Sequence, residues 1–164
     1  MKIPASASRS RWSGPLGPMD IVAHDAGVVG IWFETQKHAP DLADCAVKPH
    51  PLLTEVGLQL GAYFEGRLRQ FDLPLDLSGG TVFQQDVWAA LLGVACGDTI
   101  SYSTLAQRTG RSTAVRAVAS AVGRNPVSVV VPCHRILGSN GSLTGYAGGL
   151  HRKAALLDLE NRKP

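Results

Sequence analysis

Ser103-Thr104-Leu105-Ala106-Gln107-Arg108-Thr109-Gly110-Arg111-Ser112-Thr113-Ala114-Val115-Arg116-Ala117-Val118-Ala119-Ser120-Ala121-Val122 is the stretch on which the fold turns. Two short helical patterns, 103–109 and 113–122, flank Gly110-Arg111-Ser112, and a helix, a tight glycine turn and a second helix make a helix-turn-helix. The second helix has an apolar stripe at Val115, Val118, Ala119 and Val122. Thr113, Arg116, Ala117, Ser120 and Arg124 project from its other side, and small and basic side chains on an exposed helix face suit close approach to nucleic acid. An ordinary amphipathic helix would carry the same stripe.

Charge agrees with the first alternative. Residues 101–164 hold nine Lys/Arg against two Asp/Glu, whereas residues 1–100 hold seven against eleven. A basic half points to a polyanion as partner, although a solvated basic face remains open on charge alone. The chain has 164 residues, is 45% hydrophobic and 18% charged, and has the apolar material for a core. No run approaches the roughly 18 apolar residues of a membrane helix. Pro4, Ser6, Ser8 and Ser10 break any apolar stretch after the first residues, which excludes a secretory signal. Three cysteines far apart make no disulfide framework and fit a reducing, cytoplasmic setting. His24, His38, His50 and His151 show no ligand spacing with them, so no metal and no cofactor is expected.

Upstream, Met19–His24 and Val28–Phe33 are β-prone runs joined through Asp25-Ala26-Gly27, a hairpin in which glycine supplies positive φ. From Pro51, the residues Leu52, Leu53, Val56, Leu60, Tyr63 and Phe64 share a helical face that Gly66 can end. Phe71, Leu73, Leu75 and Leu77 alternate with polar residues and Pro74, which predicts a half-buried edge strand. Ser78-Gly79-Gly80 marks a boundary between a domain over 1–78 and another over 81–164. Thr81 with Gln84 is a capping box opening a helix that carries Val82, Phe83, Val87, Trp88, Leu91 and Leu92. Val127–Val131 reads as an extended apolar run ending at Pro132, and a last helix places Leu150, Ala154 and Leu157 on one face.

Pro132-Cys133-His134-Arg135 carries the chemistry. A cysteine is a strong nucleophile as thiolate, and a neighbouring imidazole or cation lowers its pKa. On a strand, however, His134 would point away from Cys133 and need a turn or a bridging water to reach the sulfur. As a bare tetrapeptide the motif leaves a structural cysteine open, and Cys-His-Glu alone leaves a cysteine hydrolase open.

The wider pattern is more specific. Ile100-Ser101-Tyr102, Leu105-Ala106, Arg116-Ala117-Val118, Asn125-Pro126, Val131 to Ile136, Gly145-Tyr146-Ala147-Gly148-Gly149, Lys153 and Leu156-Leu157 through Glu160 closely resemble the O6-alkylguanine-DNA alkyltransferases. These are also called methylated-DNA–protein-cysteine methyltransferases. Gly14-Pro15-Leu16-Gly17, Tyr63-Phe64, Phe83-Gln84 and Val87-Trp88 resemble the same family, so the likeness runs over residues 13–160. Cys96 before Gly97, Ser112 and Ala119 depart from its usual residues.

The resemblance implies an α+β fold: a small ribonuclease-H-like antiparallel sheet with a helix, then a mostly helical domain with the helix-turn-helix. It implies that Cys133 takes the alkyl group of O6-alkylguanine irreversibly, and leaves open whether O4-alkylthymine is also accepted. His134 would be the base acting through water, Glu160 its orienting acid, Asn125 the brace of the intervening loop and Tyr102 the donor to the departing guanine. Arg116 would fill the space of a flipped base in the minor groove of double-stranded DNA. Thr113, Ala117, Ser120, Arg124 and Arg135 would be further DNA contacts. Tyr146, Val122, Ala147 and Ile136 would form the base pocket. Arg116 touching only phosphate, Tyr146 in the core and Glu160 as a solvated helix-end charge are the plainer alternatives. A monomer that binds alkyl lesions without catalysis, or a helix-turn-helix regulator, would use the same face.

Overall fold

The computed structural model describes residues 1–161; Arg162 and Lys163, counted in the basic half, lie outside the described residues. Three antiparallel strands, β1 (Ser8–Gly14), β2 (Gly17–His24) and β3 (Gly27–Phe33), form a meander in chain order. The expected hairpin is β2–β3; the pairing of β1 with β2 was not foreseen, because Ser8, Ser10 and Arg11 carry little β-propensity. Gly27, at φ +151°, closes the hairpin where a Cβ would lie 2.9 Å from the Pro74 carbonyl oxygen. A bulge at Val22/Ala23 shifts the register. Met19, Ile21, Ala23, Ile31 and Phe33 face the main core, while Val22, Val29 and Trp32 pack with Ala7 and Leu42 on the other side. Both faces of β3 are covered, so every residue in it is buried.

Helix α1 (Pro51–Phe64) lies on the sheet with Leu53, Val56, Leu60 and Tyr63 inward, and Gly66, at φ +75°, follows its end. The expected edge strand over 71–77 is not formed. Only Leu75 bridges to Val28, through the bonds Val28 N–H to Pro74 O and Asp76 N–H to Val28 O. The segment keeps Phe71, Leu73, Leu75 and Leu77 against the core, so the alternation reported packing rather than pairing.

Helix α2 (Val82–Leu92) begins with the expected capping box of Thr81 and Gln84. Strand β4 (Ile100–Ser101) leads directly into α3 (Tyr102–Arg108), whose N-cap is Ser101. After the turn at Gly110 comes α4 (Val115–Gly123), two residues later than the sequence pattern suggests. Trp88 of α2 donates to the Ala121 carbonyl at 2.9 Å and pins α4 to the core. Arg111 is spent inside the turn: it donates to Thr109 O and to Asp86, and lies over the Phe83 ring.

The 127–131 run is a coil of turns rather than a strand, with Val129 at φ +73°. The Asn125 side chain takes the place of a neighbouring strand. Its oxygen accepts from Val127 N–H at 3.0 Å, and its nitrogen donates to Val131 O at 2.7 Å. One bridge, Ile31 to Val127, ties this coil to the open edge of β3 and joins the two halves. The chain then makes a short 3-10 turn (Cys133–Arg135) and β5 (Ile136–Leu137), parallel to β4. Helix α5 (Leu150–Asn161) buries Lys153, Leu156 and Glu160. The expected face of Leu150, Ala154 and Leu157 is not the inward one; Leu150 and Ala154 are exposed, because two charged side chains are drawn in to partners.

Candidate active site

The 3-10 turn settles the direction of Cys133 and His134. With no strand alternation, both side chains enter the interior, at 6% and 0% exposure. Cys133 Sγ accepts from Asn125 Nδ2 at 3.1 Å, so the asparagine that holds the coil also touches the sulfur. Burial pushes the Cys133 thiol up, and the Asn125 donor and the Lys153 ammonium oppose it without reversing it. The resting group is therefore a thiol; the expectation of a lowered pKa is corrected, since desolvation outweighs the neighbouring donors and charge.

His134 Nε2 lies 2.7 Å from Glu160 Oε1. The carboxylate only accepts, so Nε2 carries the proton and Nδ1 is the basic atom. Nδ1 is buried with no hydrogen-bond partner among the described residues. Burial lowers the imidazole pKa and Glu160 pulls it back only in part, leaving the ring neutral. Glu160 receives the Tyr63 hydroxyl at 2.6 Å, Arg135 Nε and Nη2 at 2.9 Å each, and the Gly97 N–H at 3.2 Å. Burial alone would raise its pKa, but the donors from His134, Arg135 and Tyr63 hold the carboxyl well below the usual range. The plainer alternative of a solvated helix-end charge is excluded for Glu160.

Arg135 does not stand where a DNA contact would. It is buried, doubly bonded to Glu160 and to the Val94 carbonyl, so its donors are committed inside the protein. Lys153 is fully buried, and its ammonium donates to the carbonyls of Ile136, Thr144 and Gly145. Burial brings it down to about 8, against the pull of Cys133. Neither the Tyr63 hydroxyl nor Lys153 was foreseen as part of the site. Phasing α5 on Glu160 as an inward residue would have found Lys153, seven positions earlier. Tyr63 had no such signal, since its partner is 97 residues away.

A cleft of about 490 Å³ is lined by Tyr102, Tyr146 and Ala147, by Val115, Arg116 and Ala119 of α4, by Lys37 and His38, and by Thr144 and Gly145, whose carbonyls hold Lys153. Burial pushes both the Tyr102 and Tyr146 phenols up, and an ionised Cys133 adds to that push. Tyr102 OH makes only long bonds, 3.3 and 3.4 Å, to Thr144 O and Gly145 O. Val122 lies in the core, and the wall expected from it is made by Val115, Ala119 and Gly123. Ile136 is buried and its carbonyl is taken by Lys153. Arg116, Ala117 and Ser120 are exposed on one side of α4, Thr113 before its start and Arg124 at its C-cap are exposed as well, and Arg116 also reaches the cleft. Among the described residues no group of three or more His, Cys, Asp or Glu could hold a metal ion. No helix among them is long and apolar enough to cross a membrane.

A reactive cysteine with a histidine–carboxylate pair, beside a cleft and an exposed basic recognition helix, defines a nucleophilic group-transfer site joined to a nucleic-acid-binding module. Residues 12–77 match the family model of the 6-O-methylguanine DNA methyltransferase ribonuclease-like domain, and residues 82–162 match that of the 6-O-methylguanine DNA methyltransferase DNA binding domain. The chain belongs to the 6-O-methylguanine DNA methyltransferase family. It is 43% identical over 149 residues to the methylated-DNA--protein-cysteine methyltransferase of Mycobacterium tuberculosis, covering 91% of this chain and 89% of that one. The enzyme of the same name from Methanosarcina acetivorans is 40% identical, with 91% and 95% covered. The crystal structure of Mycobacterium tuberculosis OGT in complex with DNA superposes with a TM-score of 0.85 at 40% identity, over 94% of this chain and 92% of that one.

Proposed function

We propose that the protein repairs DNA by moving the alkyl carbon from O6 of an alkylated guanine onto Cys133 Sγ, once per molecule. The observation that carries this reading is the buried pairing Asn125–Cys133 with the adjacent His134–Glu160 pair, in a chain whose recognition helix walls a nearby cleft. The thiol proton passes to His134 Nδ1 through a water molecule, while Glu160 keeps Nε2–H in place. Sulfur displaces O6 at the saturated carbon: the C–S bond forms as the C–O bond breaks, and guanine leaves as an anion. Tyr102 exchanges its two long hydrogen bonds for guanine N3 and gives its hydroxyl proton there, leaving a neutral guanine in the DNA strand. The tyrosinate is reprotonated from the His134 imidazolium through water, so that the net transfer is of the thiol proton to the repaired base. Lys153, held by three carbonyls, stabilises the sulfur anion while the proton is away. A thioether is not hydrolysed under mild conditions, and the protein is consumed.

The target atom lies inside a base stack, so the nucleotide is rotated out. α4 enters the minor groove, where Ala117 and Ser120 permit close approach and Arg116 occupies the vacated space. Tyr146 and Ala147 border the extruded base. The halves 1–78 and 81–164 divide this work, the second carrying nucleophile and recognition helix, in a cytoplasmic monomer. The test is intact-mass analysis with peptide mapping after incubation with an O6-methylguanine duplex. A gain of one methylene on the Cys133 peptide, lost in Cys133→Ala, is the expected result. Methyl uptake elsewhere, or turnover with release, overturns the reading.

A further inference from the structure

The cleft lined by Tyr102 and Tyr146 is not walled by the C-terminal half alone. Residues 34–38 leave β3 and run along its rim, where Lys37 and His38 line it together with Arg116. A second groove of about 450 Å³ adjoins it, lined by Lys37, Tyr146, Ala147, His151 and Arg152 among others, and Lys37, Gly145, Tyr146 and Ala147 belong to both. Lys37 therefore borders both the cleft and the second groove.

This loop is fixed to the reactive half at two points. Gln36 is buried, and its amide oxygen accepts from Phe33 N–H at 3.1 Å and from the Ser128 hydroxyl at 2.9 Å. Lys37 N–H donates to the Ala147 carbonyl at 3.0 Å. Ser128 lies in the coil that delivers Cys133, and Ala147 neighbours Tyr146, so the backbone of Lys37 is held in register with the pocket. Its side chain is exposed.

The other nearby cations are committed. Arg152 donates to the carbonyls of Leu16 and Gly148 at 2.9 Å each and lies 4.6 Å over the Phe33 ring. Arg11 pairs with Glu34, and Arg135 and Lys153 are buried in the active-site network. Among the described residues, Lys37 and Arg116 line the cleft as lysine and arginine side chains with no hydrogen bond or ion pair. They come from different halves of the molecule.

We propose that Lys37 binds a backbone phosphate flanking the extruded nucleotide, so that the N-terminal half helps to hold lesion-bearing DNA. This rests on the reading that the nucleotide enters the cleft. An extruded nucleotide stays tied to the duplex through the phosphates on either side of it, which must pass over the cleft mouth. A lysine there meets them as a compact charge on a flexible stem.

The experiment compares wild type, Lys37→Ala and Lys37→Arg on two substrates: an O6-methylguanine duplex and free O6-benzylguanine, which has no phosphate. Lys37→Ala should react with the duplex about tenfold more slowly at low salt, with free O6-benzylguanine within about twofold of wild type, and Lys37→Arg should restore the duplex rate. Raising salt from 50 to 200 mM should shrink the gap between wild type and Lys37→Ala by roughly three- to fourfold, the loss expected for one phosphate contact. An unchanged duplex rate, or an equal loss on both substrates, overturns the assignment. If wild type alkylates Cys133 with neither substrate, it is the functional reading that fails.

Discussion

The cations of the C-terminal half fall into two sets that resemble each other in sequence and differ in physics. Arg116 and Arg124 stand on the exposed side of α4, whereas Arg135 and Lys153 are buried within the network around Cys133 and Glu160. The exposed pair is free to meet phosphate. The buried pair instead meets one carboxylate and four carbonyls of the protein itself. Much of the basic surplus is therefore internal wiring. Net charge marked the correct half of the chain but overstated its DNA-facing surface.

The sharpest break between the sets comes through Glu160, which belongs to the buried one only. Glu160→Ala leaves Arg135 charged and unpaired inside the protein, and removing one partner from such a pair costs about 3–5 kcal/mol. Urea denaturation should show that loss, and alkyl transfer to Cys133 should fall below detection. The sign with pH follows from the depressed carboxyl. Its contribution is fully present above the ordinary glutamate value, about 4.3, and drains away as pH falls toward the lower folded value. Wild type should therefore lose stability steeply in acid where Glu160→Ala is flatter. Parallel acid profiles would mean that Glu160 is not ionised in the folded protein.

Arg116→Ala probes the exposed set. No hydrogen bond or ion pair of Arg116 exists among the described residues, so the melting curve should barely move, as for most exposed substitutions. Reaction with an O6-methylguanine duplex should slow about 100-fold, matching ~3 kcal/mol of unstacking no longer offset, while free O6-benzylguanine reacts at the wild-type rate. Equal slowing on both substrates would move Arg116 from the DNA face into the pocket.

The difference between these sets also explains what was legible in the sequence. Exposed-face positions could be read because helical periodicity fixes which residues lie opposite Val118 and Val122. The Thr81–Gln84 cap could be read because both partners sit within one turn. What escaped was satisfied by partners outside any regular ladder. The run 127–131 reads as a strand, yet its ladder partners are the two ends of the Asn125 amide, and no pattern of apolar residues reports that. The segment 71–77 alternates as a strand does but pairs at Leu75 alone. Arg135 reads as a DNA contact and Lys153 as part of the basic half, because long cationic side chains seldom lie inside, and only their partners, spread across Val94, Ile136, Thr144 and Glu160, make burial tolerable.

Lys153→Met gives the smallest expected effect and separates charge from packing within the buried set. The substitution keeps most of the apolar stem and removes the one ammonium that pulls the Cys133 thiol downward. The thiol pKa, followed by thiolate absorbance, should rise by about one unit, and free O6-benzylguanine should react about tenfold more slowly at neutral pH. Stability should respond in a defined window. The folded lysine titrates at about 8 and the unfolded one near its ordinary 10.5, so between these values the unfolded chain binds more protons and the wild type gains stability as pH rises. Lys153→Met should lack that gain. A thiol pKa that does not move, with the stability window lost, would leave Lys153 as a strap for the Ile136, Thr144 and Gly145 carbonyls and pass the task of holding the sulfur anion to Asn125 alone.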